Sequence, residues 1–458
     1  MPLFRSLAFA WIAIAAQALA APPNLVVFLS DDHSMLDSTP YGSTAVRTPN
    51  MQRVADDGLR FTHAFVAAPA CAPSRASLLT GLYPARHLAE DNHAQPRDDV
   101  RKLPAYLHDL GYQVVAFGKV SHYRQTGLYG FDHFDYDSFH DHRGIQAALD
   151  YLDAWKQDKP LCLFVGTNWP HTPWPEKSTY DPAEVSLEAK FVDTPETRDA
   201  VAQYYQAINN MDDDLGRIYD GARRKFGDDL IFLQTSDHGA QLPFSKWNLY
   251  DGGIRVPMLA VWPGVIRPGS STSAMVQWID ILPTLVELAG GRAPDENIDG
   301  RSFAPVLRGE RDEHRDRIFT THSGDRQFNV YPIRSIRTRD WKYIRNLHPE
   351  FQYASHINRH APAPSLIYWR SWEKAAQTDP AARTIVHNYR ERPREELYDL
   401  RNDPHELHNL AGEPAHRQRL DEMALELDRW MQRNQDSQRV FSQPLLLGDE
   451  PTLLPPKP

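Results

Sequence analysis

The stretch "NLVVFLSDDHS" (24–34) decides the fold. An apolar run ends there in two adjacent carboxylates, Asp31 and Asp32. The same arrangement, an apolar run followed by polar residues, returns in "YQVVAFGK" (112–119), "LCLFVGTNW" (161–169) and "LIFLQTSDHG" (230–239). A run with no polar alternation is what a strand covered on both faces requires. Helical patterns lie between these runs, in "VRKLPAYLHDLG" (100–111) and "TRDAVAQYYQAINNMDDDLGRIYDGARRKFG" (197–227). Strands alternating with helices predict an α/β fold, a mostly parallel sheet sandwiched by helices. Ligands of such sheets collect beyond the carboxyl ends of the strands, so the polar clusters should meet in one crevice.

The texture changes near residue 320. "YPIRSIRTRDWKYIRN" (331–346) reads as a β-hairpin with its turn around Thr338 to Asp340. "EELYDLRNDPHELHNLAG" (395–412) reads as a strand and turn, and "HRQRLDEMALELDRWMQRNQ" (416–435) as an amphipathic helix. The expected organisation is a main domain over 21–320, a smaller C-terminal α+β subdomain over 321–445 and a proline-rich tail over 446–458. No internal repeat is visible.

The N-terminus, "MPLFRSLAFAWIAIAAQALA", has Arg5, an apolar core and the small-x-small trio Ala18-Leu19-Ala20. It predicts a secretory signal over residues 1–20 cleaved after Ala20, hence an exported protein, periplasmic or extracellular. Its apolar run is short for a membrane anchor, and no later segment reaches spanning length. There is no Asn-x-Ser/Thr sequon, which favours a bacterial over a glycosylated lysosomal setting. Of 458 residues, 41% are hydrophobic and 24% charged, a globular balance that excludes disorder and fibre. A net charge of -10 argues against nucleic acid as a partner.

Adjacent carboxylates at a strand end repel unless a cation or hydrogen-bond donors neutralise them. Taken alone, Asp31 and Asp32 also fit a solvated loop or a helix cap. "SDHG" (236–239) adds Asp237 and His238 at another strand end. Three carboxylates converging on one crevice favour a hard divalent cation, Ca²⁺ before Mg²⁺, although the His238 imidazole suits softer metals. "GKVSH" (118–122) brings Lys119 and His122, "NWPHTPW" (168–174) brings His171, and "PFSKWN" (243–248) brings Lys246. Singly these are ordinary surface groups. Two lysines, two histidines and an arginine around a metal make a pocket for a tetrahedral anion. The arginine is Arg75, one helical turn beyond Cys71 in "CAPSRASLLTG" (71–81).

The chain has two cysteines, Cys71 and Cys162. Export permits a disulfide between them. Against that pairing, Cys162 sits within an apolar strand pattern, where a free cysteine packs as a small apolar residue.

"CAPSRASLLTG" resembles the sulfatase signature, in which the cysteine of Cys-x-Pro-Ser-Arg is oxidised to formylglycine after recognition by a formylglycine-generating enzyme. The Asp pair, the Gly-Lys…His segment, the Pro-His segment, Asp-His-Gly and the later lysine extend the resemblance across most of the chain. It implies an alkaline-phosphatase-like α/β fold and one Ca²⁺ held by Asp31, Asp32, Asp237, His238 and the modified residue 71. "ASLLTGL", "LPFSKWNLY", "YPIRSIRTRDWKYIRNL" and "ELYDLRNDPHELHNLA" are most similar to the heparan N-sulfatases, or sulfamidases. Three features depart from that subgroup. Two residues separate Lys119 from His122, as in iduronate sulfatases, where sulfamidases have one. His238 stands where sulfamidases have Asn, and Lys246 where they have Arg.

The implied reaction hydrolyses a sulfated saccharide, with N-sulfoglucosamine as the expected substrate and O-sulfate cleavage as the alternative. In it the hydrated formylglycine, with one oxygen on the metal, is the nucleophile, and Asp237 helps take its proton. Lys119, Lys246, Arg75 and the cation stabilise charge on the sulfuryl oxygens, and His171 protonates the leaving nitrogen or oxygen. His122 deprotonates the second hydroxyl to expel sulfate. Trp169, Trp174, His93 and His322 are expected substrate contacts, although tryptophans usually pack in cores and histidines often cap loops. Two rival classes are a phosphodiesterase or phosphonate hydrolase of the same superfamily, and a non-catalytic glycan-binding protein that kept the fold.

Overall fold

The computed structural model describes residues 22–136, 142–156, 158–294, 297–359, 364–450 and 453–454. The expected signal segment and most of "PTLLPPKP" lie outside the described residues.

The first part of the chain forms β1 (Asn24–Ser30), β2 (Leu59–Phe61), β3 (Ala64–Phe65), β4 (Gln113–Gly118), β5 (His133–Asp135), β6 (Leu161–Gly166), β7 (Leu230–Ser236), β8 (Met258–Val261), β9 (Ser270–Thr272) and β10 (Val276–Gln277). Eight of these make one sheet in the order β5-β4-β6-β1-β7-β8-β2-β9. All its pairings are parallel except those on either side of β8. The four apolar runs are the adjacent central strands β4, β6, β1 and β7. From Leu25 onward every residue of β1 is buried, so both faces of the sheet are covered.

Register decides what the strand ends do together. Gly118 pairs with Gly166, Leu29 with Gly166, and Ser30 with Ser236. The four strands therefore finish level, and the residues just after them share one edge. The glycines are required there. Gly118 has φ +67°, and a Cβ on it would lie 2.1 Å from the Gly166 carbonyl oxygen. A Cβ on Gly166 would lie 2.1 Å from the Lys119 carbonyl oxygen. Only glycine pairs let the chain turn this tightly at Lys119.

The long pattern at 197–227 is a helix of 32 residues, Pro195–Phe226. Thr194 caps it by accepting from the Thr197 N–H, proline opens it, and Arg223, Arg224 and Lys225 complement the dipole at its end. It packs on β1 and β7 together with the helices Pro49–Asp57 and Arg143–Ala154. The helices Leu103–His108 and Cys71–Thr80 pack instead against Ile281–Leu288.

The C-terminal part is an antiparallel sheet, β11 (Arg317–His322), β12 (Ile333–Thr338), β13 (Trp341–Asn346) and β14 (Glu395–Asp399), paired in that order. Helix Arg417–Arg433 packs on it through Leu420, Met423, Leu427 and Trp430. The hairpin turns between Thr338 and Trp341, where its sequence places it. β11 crosses the 320/321 position, so the second sheet begins a few residues earlier than the change in texture. One apolar core runs from Leu25 through Ile333, Trp372 and Leu400, which ties the two sheets together. Among the described residues no helix is long and apolar enough to cross a membrane.

Candidate active site

Residue 71 opens the helix Cys71–Thr80, and the whole helix is buried. Cys71 and Cys162 are both free, the second inside β6. The Cys71 Sγ lies 3.4 Å from His238 Nε2, 3.7 Å from Lys119 Nζ and 4.0 Å from Asp31 Oδ1. One turn on, Arg75 reaches back across the strand ends. Its Nε donates to Asp237 at 2.9 Å, its Nη2 to Asp31 at 3.0 Å, and its Nη1 to the Lys119 carbonyl. The helix, β1, β4 and β7 are thereby joined by one guanidinium, whose planar fork suits this role.

Three carboxylates face three cations here. Lys119 Nζ lies 2.5 Å from Asp31 Oδ2, and Lys246 Nζ lies 2.8 Å from both Asp32 oxygens. Asp32 itself adopts φ +64°, strained backbone of the kind found at functional sites. Asp237 Oδ1 accepts from the Asp32 N–H at 3.0 Å, so the two acids are geared to each other. Asp31, Asp32, Asp237, Arg75, Lys119 and Lys246 are all buried.

Burial pushes Asp32 up to about 7 against the pull of Lys246, with Asp31 and Asp237 adding to the rise. Burial likewise raises Asp237 to about 6, although Arg75 opposes it. Asp31 goes the other way: burial would raise it, but Lys119, His171 and Arg75 hold it well below the carboxylate range. Lys119 and Lys246 stay charged because Asp31 and Asp32 outweigh their burial. The cluster is thus balanced as it stands, and an entering anion tips it negative. A divalent cation restores the balance.

The residues fit such a cation. One ligand atom from each of Asp32, Cys71, Asp237 and His238 falls within 4.8 Å of the others, all buried. His238 Nδ1 lies 3.0 Å from the Gly239 carbonyl, which can only accept, so Nδ1 carries the proton. The lone pair of Nε2 then faces Cys71 and Asp237. Asp31 stands beside this group with its oxygens on Arg75 and Lys119.

His171 follows β6. Its Nδ1 lies 2.5 Å from the Thr172 carbonyl and its Nε2 3.8 Å from Asp32 Oδ2, so Nε2 faces the cluster. His122 follows β4, and its Nε2 lies 2.6 Å from Nδ1 of His93. The aromatic and histidine contacts expected for substrate are spread out. Trp169 is half-buried and stacks on His142. Trp174 is buried, donates its Nε1–H to the Pro170 carbonyl and packs against Tyr204. His322 is buried at the end of β11, 2.9 Å from Asn329 Oδ1.

Several neighbours carry no motif of their own. Asn92 Oδ1 accepts from the Ala72 N–H at 3.0 Å, and Asn92 Nδ2 donates to Asp325 at 2.9 Å. Trp247, next to Lys246, donates its Nε1–H to the same Asp325 oxygen at 2.9 Å. Ser74 donates to the Asp237 carbonyl. Asn92 adjoins His93, which gave it one weak signal. Asp325 had none, because it arrives from the second sheet.

The chain is similar to known proteins along most of its length. A family model described as Sulfatase matches residues 23–291, and one described as N-sulphoglucosamine sulphohydrolase, C-terminal, matches 238–357. An ulvan-active sulfatase of Formosa agariphila is 30% identical over 94% of this chain and 84% of its own. Human N-sulphoglucosamine sulphohydrolase is 27% identical, with 91% of each chain covered. A solved structure of a protein in complex with its substrate D-glucosamine-2-N,6-O-disulfate superposes with a TM-score of 0.67. It is 20% identical, over 91% of this chain and 99% of that one, a likeness of fold.

Proposed function

The chain belongs to the sulfatase family and is a sulfuric ester or sulfamate hydrolase; from that premise we propose that it removes sulfate from the non-reducing end of a sulfated saccharide, with residue 71 as formylglycine. One observation carries this reading. Cys71 opens a buried helix at the centre of the cluster, its Sγ 3.4 Å from His238 Nε2 and 3.7 Å from Lys119 Nζ, within the Cys-x-Pro-Ser-Arg context that resembles the signature for oxidation to the aldehyde. Burial pushes the unmodified thiol up to about 12, which makes it a poor nucleophile. As the hydrated aldehyde, residue 71 supplies one hydroxyl to attack sulfur and a second whose deprotonation expels sulfate.

Asp31, Asp32, Asp237 and His238 would hold a calcium ion, which lowers the pKa of an oxygen bound to it. Asp237, in the same cluster as residue 71, would help take the proton of that hydroxyl, as the resemblance to the family implies. Lys119, Lys246 and Arg75 supply fixed positive charge in a water-poor site, where charge developing on the sulfuryl oxygens is strongly stabilised. His171 keeps one proton on Nδ1 against the Thr172 carbonyl and, as the imidazolium, would hold a second at Nε2 for the leaving group. His122 takes the proton from the second hydroxyl.

The substrate reading rests on access and on kinship. Cys71 is 1% exposed and Lys119 0%, which favours a terminal group entering end-on over a sulfate within a chain. The N-sulphoglucosamine sulphohydrolase match spans Lys246 and His322, which supports an N-sulfated glucosamine. The relative at 30% identity supports a second reading, an O-sulfate of ulvan. Export from the cell and maturation by a formylglycine-generating enzyme belong to the same proposal. The test is to confirm formylglycine by the mass of the peptide carrying residue 71. The enzyme is then incubated with glucosamine N-sulfate, 2-O- and 6-O-sulfated sugars and ulvan fragments. Free amine from the first alone supports the N-sulfate reading. Sulfate from ulvan with N-sulfate untouched replaces it with the second. Sulfate from none defeats the proposal.

A further inference from the structure

His122 and His93 make a contact that the chemistry above does not use. Their nitrogens are 2.6 Å apart and their rings meet nearly at right angles, with centroids 4.3 Å apart. One proton lies between two such nitrogens, so one ring donates and the other accepts. Asp325 decides which. Its carboxyl is buried yet held below the usual carboxylate range, with Oδ2 accepting two hydrogen bonds, so it is ionised. Oδ2 accepts from Asn92 and Trp247 at 2.9 Å each, with His356 Nδ1 3.7 Å away. Oδ1 accepts no hydrogen bond among the described residues, and it faces His93 Nε2 at 3.6 Å.

The buried anionic oxygen faces His93 Nε2 at electrostatic rather than hydrogen-bond distance, which favours the His93 tautomer with its proton on Nε2. Its Nδ1 is then the acceptor, and His122 must donate from Nε2. That leaves a lone pair on His122 Nδ1, a buried atom with no hydrogen-bond partner among the described residues. His122 follows β4 three residues after Lys119, whose Nζ lies 3.7 Å from the Sγ of residue 71. His93 is held at φ +73°, conformational strain of the kind stored at functional sites.

We propose that Asp325 and His93 are positioning residues, which fix His122 in the tautomer whose Nδ1 takes a proton from the second hydroxyl of residue 71. The proton moves from that oxygen to Nδ1, and the resulting positive charge is shared through Nε2–H to His93 and on to Asp325. The second sheet thereby takes part in turnover, since Asp325 follows β11. This rests on the formylglycine reading of residue 71, but the tautomer does not depend on it. In the Ser-His-Asp constellation a carboxylate plays the same part, and its loss costs about 10⁴-fold in rate through the wrong tautomer.

The test has two arms. In full-length protein with ¹⁵N-labelled histidine and residue 71 left as cysteine, ring nitrogen shifts should show His93 and His122 neutral and protonated on Nε2 near neutral pH. His122 protonated on Nδ1 instead would overturn the proposal, whatever the enzyme's activity. In the converted enzyme, Asp325→Asn and His93→Phe should lower kcat about 100-fold with KM within about twofold. Turnover should also split, with one equivalent of desulfated sugar released fast before a slow steady state, because only the second step needs the base. His93→Gln, which offers His122 an acceptor oxygen, should recover part of the rate. His93→Phe leaves the Asn92 and Trp247 bonds to Asp325 in place, so misfolding of Asp325→Asn does not decide the matter. Equal slowing of both phases in His93→Phe would reduce Asp325 and His93 to structural packing. Wild-type enzyme that carries formylglycine but releases no sulfate would defeat the functional reading and leave the tautomer result standing.

Discussion

Lys246 Nζ lies 2.8 Å from both oxygens of Asp32, and the pair is shut away from solvent. The lysine balances a carboxylate that burial and its acidic neighbours push up to about 7. Lys246→Met strands that carboxylate, and breaking a buried pair from one side costs about 3–5 kcal/mol. The variant should melt well below wild type in chelator and recover much of the loss on adding Ca²⁺, which calorimetry in both conditions measures. A melting temperature that ignores Ca²⁺ would mean that Asp32 is no ligand.

The same carboxyls would give calcium binding a pH dependence. Asp32 and Asp237 rise from 3.8 to about 7 and about 6, so without metal the folded state binds more protons than the unfolded across that window. Their contribution to stability is therefore complete below pH 3.8 and lost as pH rises through their folded values. Burial lowers His33, His93 and His322 from 6.5 to about 4, and these act oppositely, favouring the fold as pH rises from about 4 to 6.5. The stability curve of the whole protein mixes both. The difference between calcium-loaded and chelated protein isolates the carboxyls, because the ion competes with their protons. That difference should grow between about pH 4 and pH 7 and level off above. Asp31→Asn and Asp237→Asn should each weaken Ca²⁺ binding in a titration. Unchanged affinity in both would make them ordinary buried acids.

Cys71→Ala should abolish turnover at a cost of about 1 kcal/mol in stability, since a small buried side chain is exchanged for a smaller one. Cys71→Ser has a hydroxyl but no second one, so it should stop after one sulfuryl transfer with the sulfate ester visible in the intact mass. Repeated turnover by either variant would rule out formylglycine as the nucleophile.

Gly118→Ala tests the level edge of the strands. The new Cβ meets the Gly166 carbonyl oxygen at 2.1 Å, at a residue with φ +67°. Stability should fall by at least about 2 kcal/mol. Activity should fall further, because Lys119 and the Arg75 bond to its carbonyl move with the turn. Thermal unfolding together with kcat checks both, and a variant as stable and active as wild type would show that the turn adapts.

The parallel sheet was legible along the chain, because unbroken apolar runs such as "NLVVFLS", alternating with helical patterns, fit strands buried on both faces. The sequence also placed Asp31, Asp32, Lys119, His171 and Asp237 on one edge, since each follows such a run and parallel neighbours end together. Residues carried by their own motif, Cys71 and Arg75, were legible for the same local reason: helix spacing sets them one turn apart. Tertiary structure alone decided the rest. Nothing in the chain says that Lys246 spends its charge on Asp32, or that Trp174 and His322 turn into the protein. Least of all does it say that Asp325, 232 residues after His93, closes on that ring, because the contact depends on how a second sheet docks against the first. Local pattern specifies elements and their ends, while pairings across layers are fixed by packing and by the need of each buried charge for a partner.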